Sequence, residues 1–208
     1  MYTPSCFQVL DIAGLQQTMR EARTATLVTA THEGLVGTLL PVVLDESAGS
    51  MGTIYAHVAR ANPQWKLTPT GEAMAIFAGA EAYISPSWYV TKHERGEAVP
   101  TWNYVAVHAY GQVEFFEDSD RLREVVTRLT DVHERSSKDR WAVSDAPADF
   151  IKAELEGIIG LRLQITRLDG SRKMSQNRNA ADRAGVIEGL SKSNREEDRR
   201  AAHLIPKG

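Results

Sequence analysis

Ala25-Thr26-Leu27-Val28-Thr29-Ala30-Thr31, then His32-Glu33-Gly34, then Leu35 to Leu44 (LVGTLLPVVL) is the stretch that decides the fold class. The first run is rich in β-branched residues, Gly34 is free to take positive φ, and the second run returns antiparallel. Pro41 lacks an N–H, so it marks an edge, a bulge or a ligand-facing break. Working outward, Thr53 to Val58 reads as a third strand, Glu72 to Ser85 as a fourth, Thr101 to Glu117 as a fifth and Ile158 to Leu168 as a sixth. Asn62-Pro63 opens a short helix, with Asn as cap and Pro at the first helical position. Asp118 or Ser119 caps a helix carrying Leu122, Val125, Val126, Leu129 and Val132 at spacings of three and four. Pro147 to Leu155, Asn179 to Leu190 and Asn194 to Leu204 read as further helices. Five or six mostly antiparallel strands with late helices predict a small barrel plus helices, and the absence of alternating β-α units disfavours a doubly wound sheet.

The 208 residues are 42% hydrophobic and 25% charged, which suits one compact domain and excludes wholesale disorder. The apolar run Ala73 to Ala80 is far shorter than the about 20 residues a spanning helix needs, so no membrane association is expected. Residues 1–14 show neither a basic n-region nor an apolar h-region, and Cys6 is the single cysteine, so a cytoplasmic setting is expected. The net charge is −3, but residues 171–208 hold nine Lys or Arg against five acids, leaving the tail at +4 and the rest at −7. Such a tail suits either a phosphate or plain solvation.

Four segments carry more polar and aromatic density than a core needs. His57-Val58-Ala59-Arg60-Ala61-Asn62-Pro63 puts a guanidinium beside a helix start, which suits an anion. It equally suits Arg60 pairing with a surface acid and Asn62 acting only as a cap. Tyr83 to Tyr89 (YISPSWY) can frame a planar ligand or plug a barrel mouth. Val99 to Tyr104 (VPTWNY) enters the fifth strand, and the polar stretch Thr91 to Glu97 between the two aromatic clusters reads as a mobile lid or an ordinary hairpin. Lys173-Met174-Ser175-Gln176-Asn177 places a cation, a hydroxyl and two carboxamides just after a strand. That set favours ligand binding, with Lys and Ser for a phosphate and the amides for the edge of a ring. The six histidines fall in no metal-ligand spacing, so no metal site is expected. No glycine-rich phosphate loop and no GxSxG nucleophile elbow occurs, and no catalytic residue is assigned.

Taken in order, His57 to Pro63, Tyr83 to Tyr89, Val99 to Tyr104, Val107-His108-Ala109-Tyr110-Gly111 and Lys173 to Arg178 (KMSQNR) resemble the PaiB-type FMN-binding negative transcriptional regulators. Met1-Tyr2 and Asp182 to Leu190 add to the resemblance, which runs over nearly the whole chain. It implies a mainly β, antiparallel FMN-binding split barrel of the pyridoxamine-phosphate-oxidase-like class. It further implies one domain over residues 1–208 with a C-terminal helical extension from about 178, and a homodimer with flavin at the subunit interface. On this resemblance His57, Arg60 and Asn62 lie near FMN from one side. Thr101, Trp102 and Asn103 approach its ring, and Lys173, Ser175 and Gln176 supply polar contacts. Two positions depart from the family pattern: Leu39 stands where a histidine is expected, and Ser171 where a lysine is common.

The leading functional expectation is therefore an FMN-binding regulator of the repressor type. The alternatives are an FMN-dependent oxidoreductase and, ranked lower, a haem-binding split barrel with His57 or His93 as axial ligand. DNA is a conceivable partner, but the interleaved acids of the tail and the lack of a helix-turn-helix give it no clear motif.

Overall fold

A computed structural model describes residues 1–207, with Arg95 described by its backbone alone. In chain order the elements are β1 (Gln8–Val9), α1 (Ile12–Ala22), β2 (Thr24–Thr31), β3 (Gly34–Asp45), β4 (Thr53–Ala59), β5 (Ala73–Ile84), α2 (Val90–Arg95) and β6 (Thr101–Phe116). They continue with α3 (Ser119–Glu134), α4 (Ala148–Glu156), β7 (Ile158–Lys173), α5 (Ala180–Ser191) and α6 (Glu196–Leu204). The strands form one seven-stranded sheet in the order β1-β7-β4-β3-β2-β5-β6, and β6 also pairs with β7. The pairs β1–β7, β2–β3, β2–β5, β3–β4 and β4–β7 are all antiparallel.

The expected hairpin is present: Thr31 faces Gly34, and Gly34 takes φ 116°. Pro41 is not on an edge strand. β3 pairs with β2 up to Pro41 and with β4 from Val42 onward, so the missing N–H falls where the strand changes partners. The predicted cap holds at Asp118, which accepts from the Arg121 N–H at 2.9 Å, and Asn179 also caps its helix, accepting from the Asp182 N–H at 2.8 Å.

The chain divides into two compact units that interleave in sequence. The first comprises Met1–Thr18, Ala78–Val107 and Asp169–Gly208, the second Met19–Phe77 and His108–Leu168. In the second unit Leu27, Leu40, Val42, Ile54, Ala56, Val58, Phe77, Leu161 and Leu163 are buried. A separate cluster of Phe116, Leu122, Val125, Leu129, Ile151 and Leu155 joins α3 and α4 to Val43 and Tyr55. Val132, expected on the apolar face of α3, is 42% exposed. In the first unit the core is Ala82, Ile84, Tyr89, Val105, Met174, Val186, Leu190, Ala201, Ala202 and Ile205.

Three expectations need correction. β1 and α1 are additional elements, so the strands among the described residues number seven. β7 runs to Lys173 instead of ending at Leu168, because its polar end is paired with β1, Gln8 facing Ser171 and Val9 facing Gly170. Gly170 suits the close packing there, since a Cβ would meet Leu15 Cδ2 at 2.0 Å and force that side chain to shift. The stretch expected as a lid or hairpin is largely helical. α2 is tied down by Thr91, whose N–H and hydroxyl donate to the Asp182 carboxylate at 3.0 and 2.6 Å, and it ends at Gly96 with φ 72°. Burial works against the Asp182 charge, yet the Thr91 bonds and the Arg178 charge hold its carboxyl below the usual range.

Candidate functional site

The nine residues singled out from the sequence fall into two groups, one in each unit. In the first unit, β6 and the end of β7 supply a continuous polar cluster. Lys173 Nζ donates to Thr101 Oγ1 at 2.6 Å and lies 5.9 Å from the Phe7 ring centroid. Asn103, fully buried, donates to Ser175 Oγ at 3.0 Å. Ser175 itself has φ 58°, a left-handed conformation that a serine adopts only when its surroundings enforce it. Gln176 closes the turn: its Oε1 accepts from the Met174 N–H at 2.6 Å, and its Nε2 donates to the Cys6 carbonyl at 3.1 Å and to the Arg172 carbonyl. Trp102 points outward, 45% exposed, and meets the half-exposed Tyr83 edge-on with ring centroids 6.2 Å apart.

Of the aromatics in Tyr83 to Tyr89, only Tyr83 is therefore free to meet a ligand. Trp88 is committed to α5, where Gly185 and Gly189 leave room for it. Tyr89 is buried beneath the Arg178 guanidinium, 4.5 Å from its ring.

In the second unit the segment from His57 to Pro63 makes a locked corner. The Arg60 N–H donates to the Gly157 carbonyl at 2.9 Å, and its Nε donates to the Glu156 carbonyl at 2.5 Å. The same guanidinium pairs with Glu117. Asn62 Oδ1 accepts from the Gln64 N–H at 2.9 Å and Nδ2 donates to Thr38 Oγ1 at 2.9 Å. The next residue in this chain of contacts, Gln64, is wholly buried and was not singled out from the sequence. Its Nε2 reaches the Leu27 and Val36 carbonyls, each at 3.3 Å, and Thr29 Oγ1 at 3.1 Å, while Oε1 accepts from Thr38 at 2.6 Å. Arg60 and Asn62 thus have structural duties whatever else they do.

Four buried side-chain atoms, Thr3 Oγ1, His57 Nδ1, Tyr89 OH and Ser171 Oγ, lack a hydrogen-bond partner among the described residues, and two of them bear on the site. His57 Nδ1 is buried and unbonded, and burial pushes this imidazole below its usual range, so the ring is neutral at pH 7. Ser171 Oγ is likewise buried and unbonded, at the position where a lysine was expected. Orphaned donors and acceptors of this kind are costly unless a ligand or water meets them. With Lys173, Thr101 and Ser175, the first unit's cluster offers one ammonium and several hydroxyls, a donor set that fits a phosphate.

The basic tail, by contrast, is largely spent internally. Arg183 donates to the Pro206 and Arg178 carbonyls, Lys192 pairs with Glu188, Arg195 with Glu81, and Arg199 donates to the Ser193 carbonyl. Among the described residues no group of His, Cys, Asp and Glu could hold a metal, and no helix is long and apolar enough to cross a membrane.

The mostly antiparallel seven-stranded sheet with its late helices is a split barrel. Residues 1–167 match the family model described as "Putative FMN-binding domain". The chain belongs to that FMN-binding family. It is 32% identical over 206 residues to the protease synthase and sporulation protein PAI 2 of Bacillus subtilis, covering 99% of this chain and 96% of that protein. An uncharacterised protein of Emericella nidulans is 32% identical over 226 residues, covering 91% of this chain and 90% of its own length. Among solved structures, the flavocytochrome Anf3 of Azotobacter vinelandii shares the fold with a TM-score of 0.58 at 13% identity, covering 80% of this chain and 69% of that one. The FAD and heme binding protein of Mycobacterium smegmatis does so with a TM-score of 0.57 at 13% identity, covering 80% and 73%. The family match ends before Lys173, whereas the Bacillus subtilis relative aligns along almost the whole chain.

Proposed function

We propose that the protein is a cytoplasmic, homodimeric regulator that works with FMN bound, and that both groups of residues contribute to holding the flavin. The polar cluster of Lys173, Thr101, Ser175 and Asn103 carries the reading, because its ammonium and hydroxyls suit the FMN phosphate. Gln176 offers a carboxamide for the ring edge, and the half-exposed Trp102 offers an aromatic face. His57 contributes a neutral nitrogen, and Arg60 and Asn62 a corner already rigid before any ligand arrives. When bound, the flavin supplies the electron chemistry, and the protein's part is to bind and orient it. The name of the Bacillus subtilis relative, protease synthase and sporulation protein PAI 2, supports a regulatory role.

The test is an FMN titration of the purified full chain followed by flavin absorbance. Lys173→Ala and Arg60→Ala are each expected to weaken FMN binding by about 1.5–3 kcal/mol, the worth of a charge-assisted hydrogen bond. Unchanged titration curves for both variants would remove the site assignment. A melting curve on Arg60→Ala separates loss of a ligand contact from loss of the Glu156 and Glu117 anchors. Oxidation of reduced nicotinamide by the FMN-loaded protein would move the reading to an oxidoreductase, and a haem spectrum would move it to a haem protein.

The outer face of β3 supports the dimer. Leu35 and Leu39 are 78% and 71% exposed there, an apolar pair that a lone chain leaves in water. Leu39→Glu is expected to shift the protein from dimer to monomer in sedimentation velocity, and an unaltered dimer would take this face out of the interface.

A further inference from the structure

The second unit holds a groove that the flavin reading does not use. It has a volume of about 270 Å³ and lies between α3 and strands β4, β6 and β7. Arg121, Glu124, Val125 and Arg128 enter it from one face of α3, at spacings of three, four and seven. Opposite them stand Tyr55, Glu114, Phe116 and Arg162. The Arg121 guanidinium lies 3.8 Å from the Phe116 ring centroid and that of Arg128 5.3 Å from the Tyr55 centroid, so both are held by aromatic faces.

Charge is distributed unevenly within the groove. At one end Arg121 and Arg162 share a single acid, Glu114, at 2.8 and 2.5 Å, leaving one surplus cation. The two arginines hold the Glu114 carboxyl below its usual range, so at neutral pH it is ionised and cancels one of the two cations. At the other end Arg128 is shared by Asp45 at 2.8 Å and Glu124 at 2.6 Å, leaving one surplus anion. Arg162 gives Glu114 only its Nε–H among the described residues, so its remaining donors are free. Glu124 lies three residues from Arg121, about 4.5 Å along the helix. A positive and a negative end that close together complement a small zwitterion.

We propose that this groove binds a free amino acid, its carboxylate on Arg121 and Arg162 and its ammonium on Glu124. The volume sits just below the about 300–1,000 Å³ of typical ligand pockets, which limits the ligand to a small metabolite. The lining side chains are partly exposed, with Arg121 at 41%, Arg128 at 38% and Arg162 at 46%, so entry needs no unfolding. None of the lining residues belongs to the flavin set, so the two ligands do not compete for a side chain.

The standard free L-amino acids, each titrated calorimetrically into the full-length protein, test the proposal. At least one is expected to bind stoichiometrically. Its affinity should fall by about ten- to a hundredfold in both Arg162→Gln and Glu124→Gln, as for loss of a charge-assisted bond. Its N-acetyl and carboxamide derivatives should weaken similarly, while FMN titration of both variants stays as in the wild type. Circular dichroism verifies that each variant is folded, and the ligand derivatives test the wild-type protein without any substitution. Absence of binding by every amino acid would overturn the proposal, as would binding indifferent to both substitutions. Binding of inorganic phosphate alone would also overturn it, making the groove a simple anion site.

Discussion

Gly111→Ala is expected to lower the melting temperature by about 6–12 °C. A Cβ built on Gly111 lies 1.9 Å from the Gln164 carbonyl oxygen and 2.9 Å from its carbon, with Leu163 Cδ2 at 3.1 Å. The obstacle is backbone, so no rotamer change can relieve it, and β6 and β7 must separate where they pair. Overpacking typically costs about 1–3 kcal/mol, and a clash with main chain belongs at the upper end. For a chain of this size each kcal/mol lowers the melting point by about 2–4 °C. Gly37→Ala is the control: the nearest atom to its Cβ is Thr26 Cγ2 at 3.8 Å, an ordinary contact. Its effect should stay within about 0.5 kcal/mol. Equal melting shifts for the two variants would show that loss of glycine itself, and not the close approach at Gly111, governs the response.

Gln64→Ala should be comparably damaging, at about 2–4 kcal/mol in chemical denaturation. The substitution opens a cavity at a fully buried position and leaves the Thr38 hydroxyl without its acceptor. It also removes the bonds from Gln64 Nε2 to β2 and β3, at Leu27, Thr29 and Val36. A double-mutant cycle with Thr38→Ala isolates the pair, with an expected coupling of about 1 kcal/mol. A denaturation midpoint unchanged from wild type would mean that the carboxamide does not anchor this corner.

These two positions show what a sequence reveals and what it hides. The β2–β3 hairpin was legible because β-branched residues and a turn glycine act locally. α3 was legible for a similar reason, with a capping Asp118 followed by an apolar row at helical spacing. The end of β7 was not, since Asp169-Gly170-Ser171 has the composition of a turn and becomes strand only through β1 and the side chain of Leu15. Nor was α1, whose Gly14 weakens the helical pattern, or α2, which depends on an aspartate 91 residues further along the chain. At the site, the density of donors from Lys173 to Gln176 could be read directly, and the structure joins them to Thr101 and Asn103. Gln64 could not be found this way. A glutamine after Asn-Pro reads as an exposed helical residue until its partner carbonyls come into view. The arginines of α3 left a faint signal in their seven-residue spacing, but Arg162 and Glu114 meet them only through the sheet.

The interleaving of the two units bears on how the chain matures as it is synthesised. Every residue of the second unit has been translated once Leu168 is added, so this part can close early. The first unit waits for Asp169–Gly208, although its other two segments were made long before. Val9, Leu15 and Val105 spend that interval without Gly170, Met174 and the α5–α6 pair that later cover them. The Lys173 cluster is thus assembled only after every residue of the second unit has been made, and capacity for its ligand arrives with the last of the first unit's three segments.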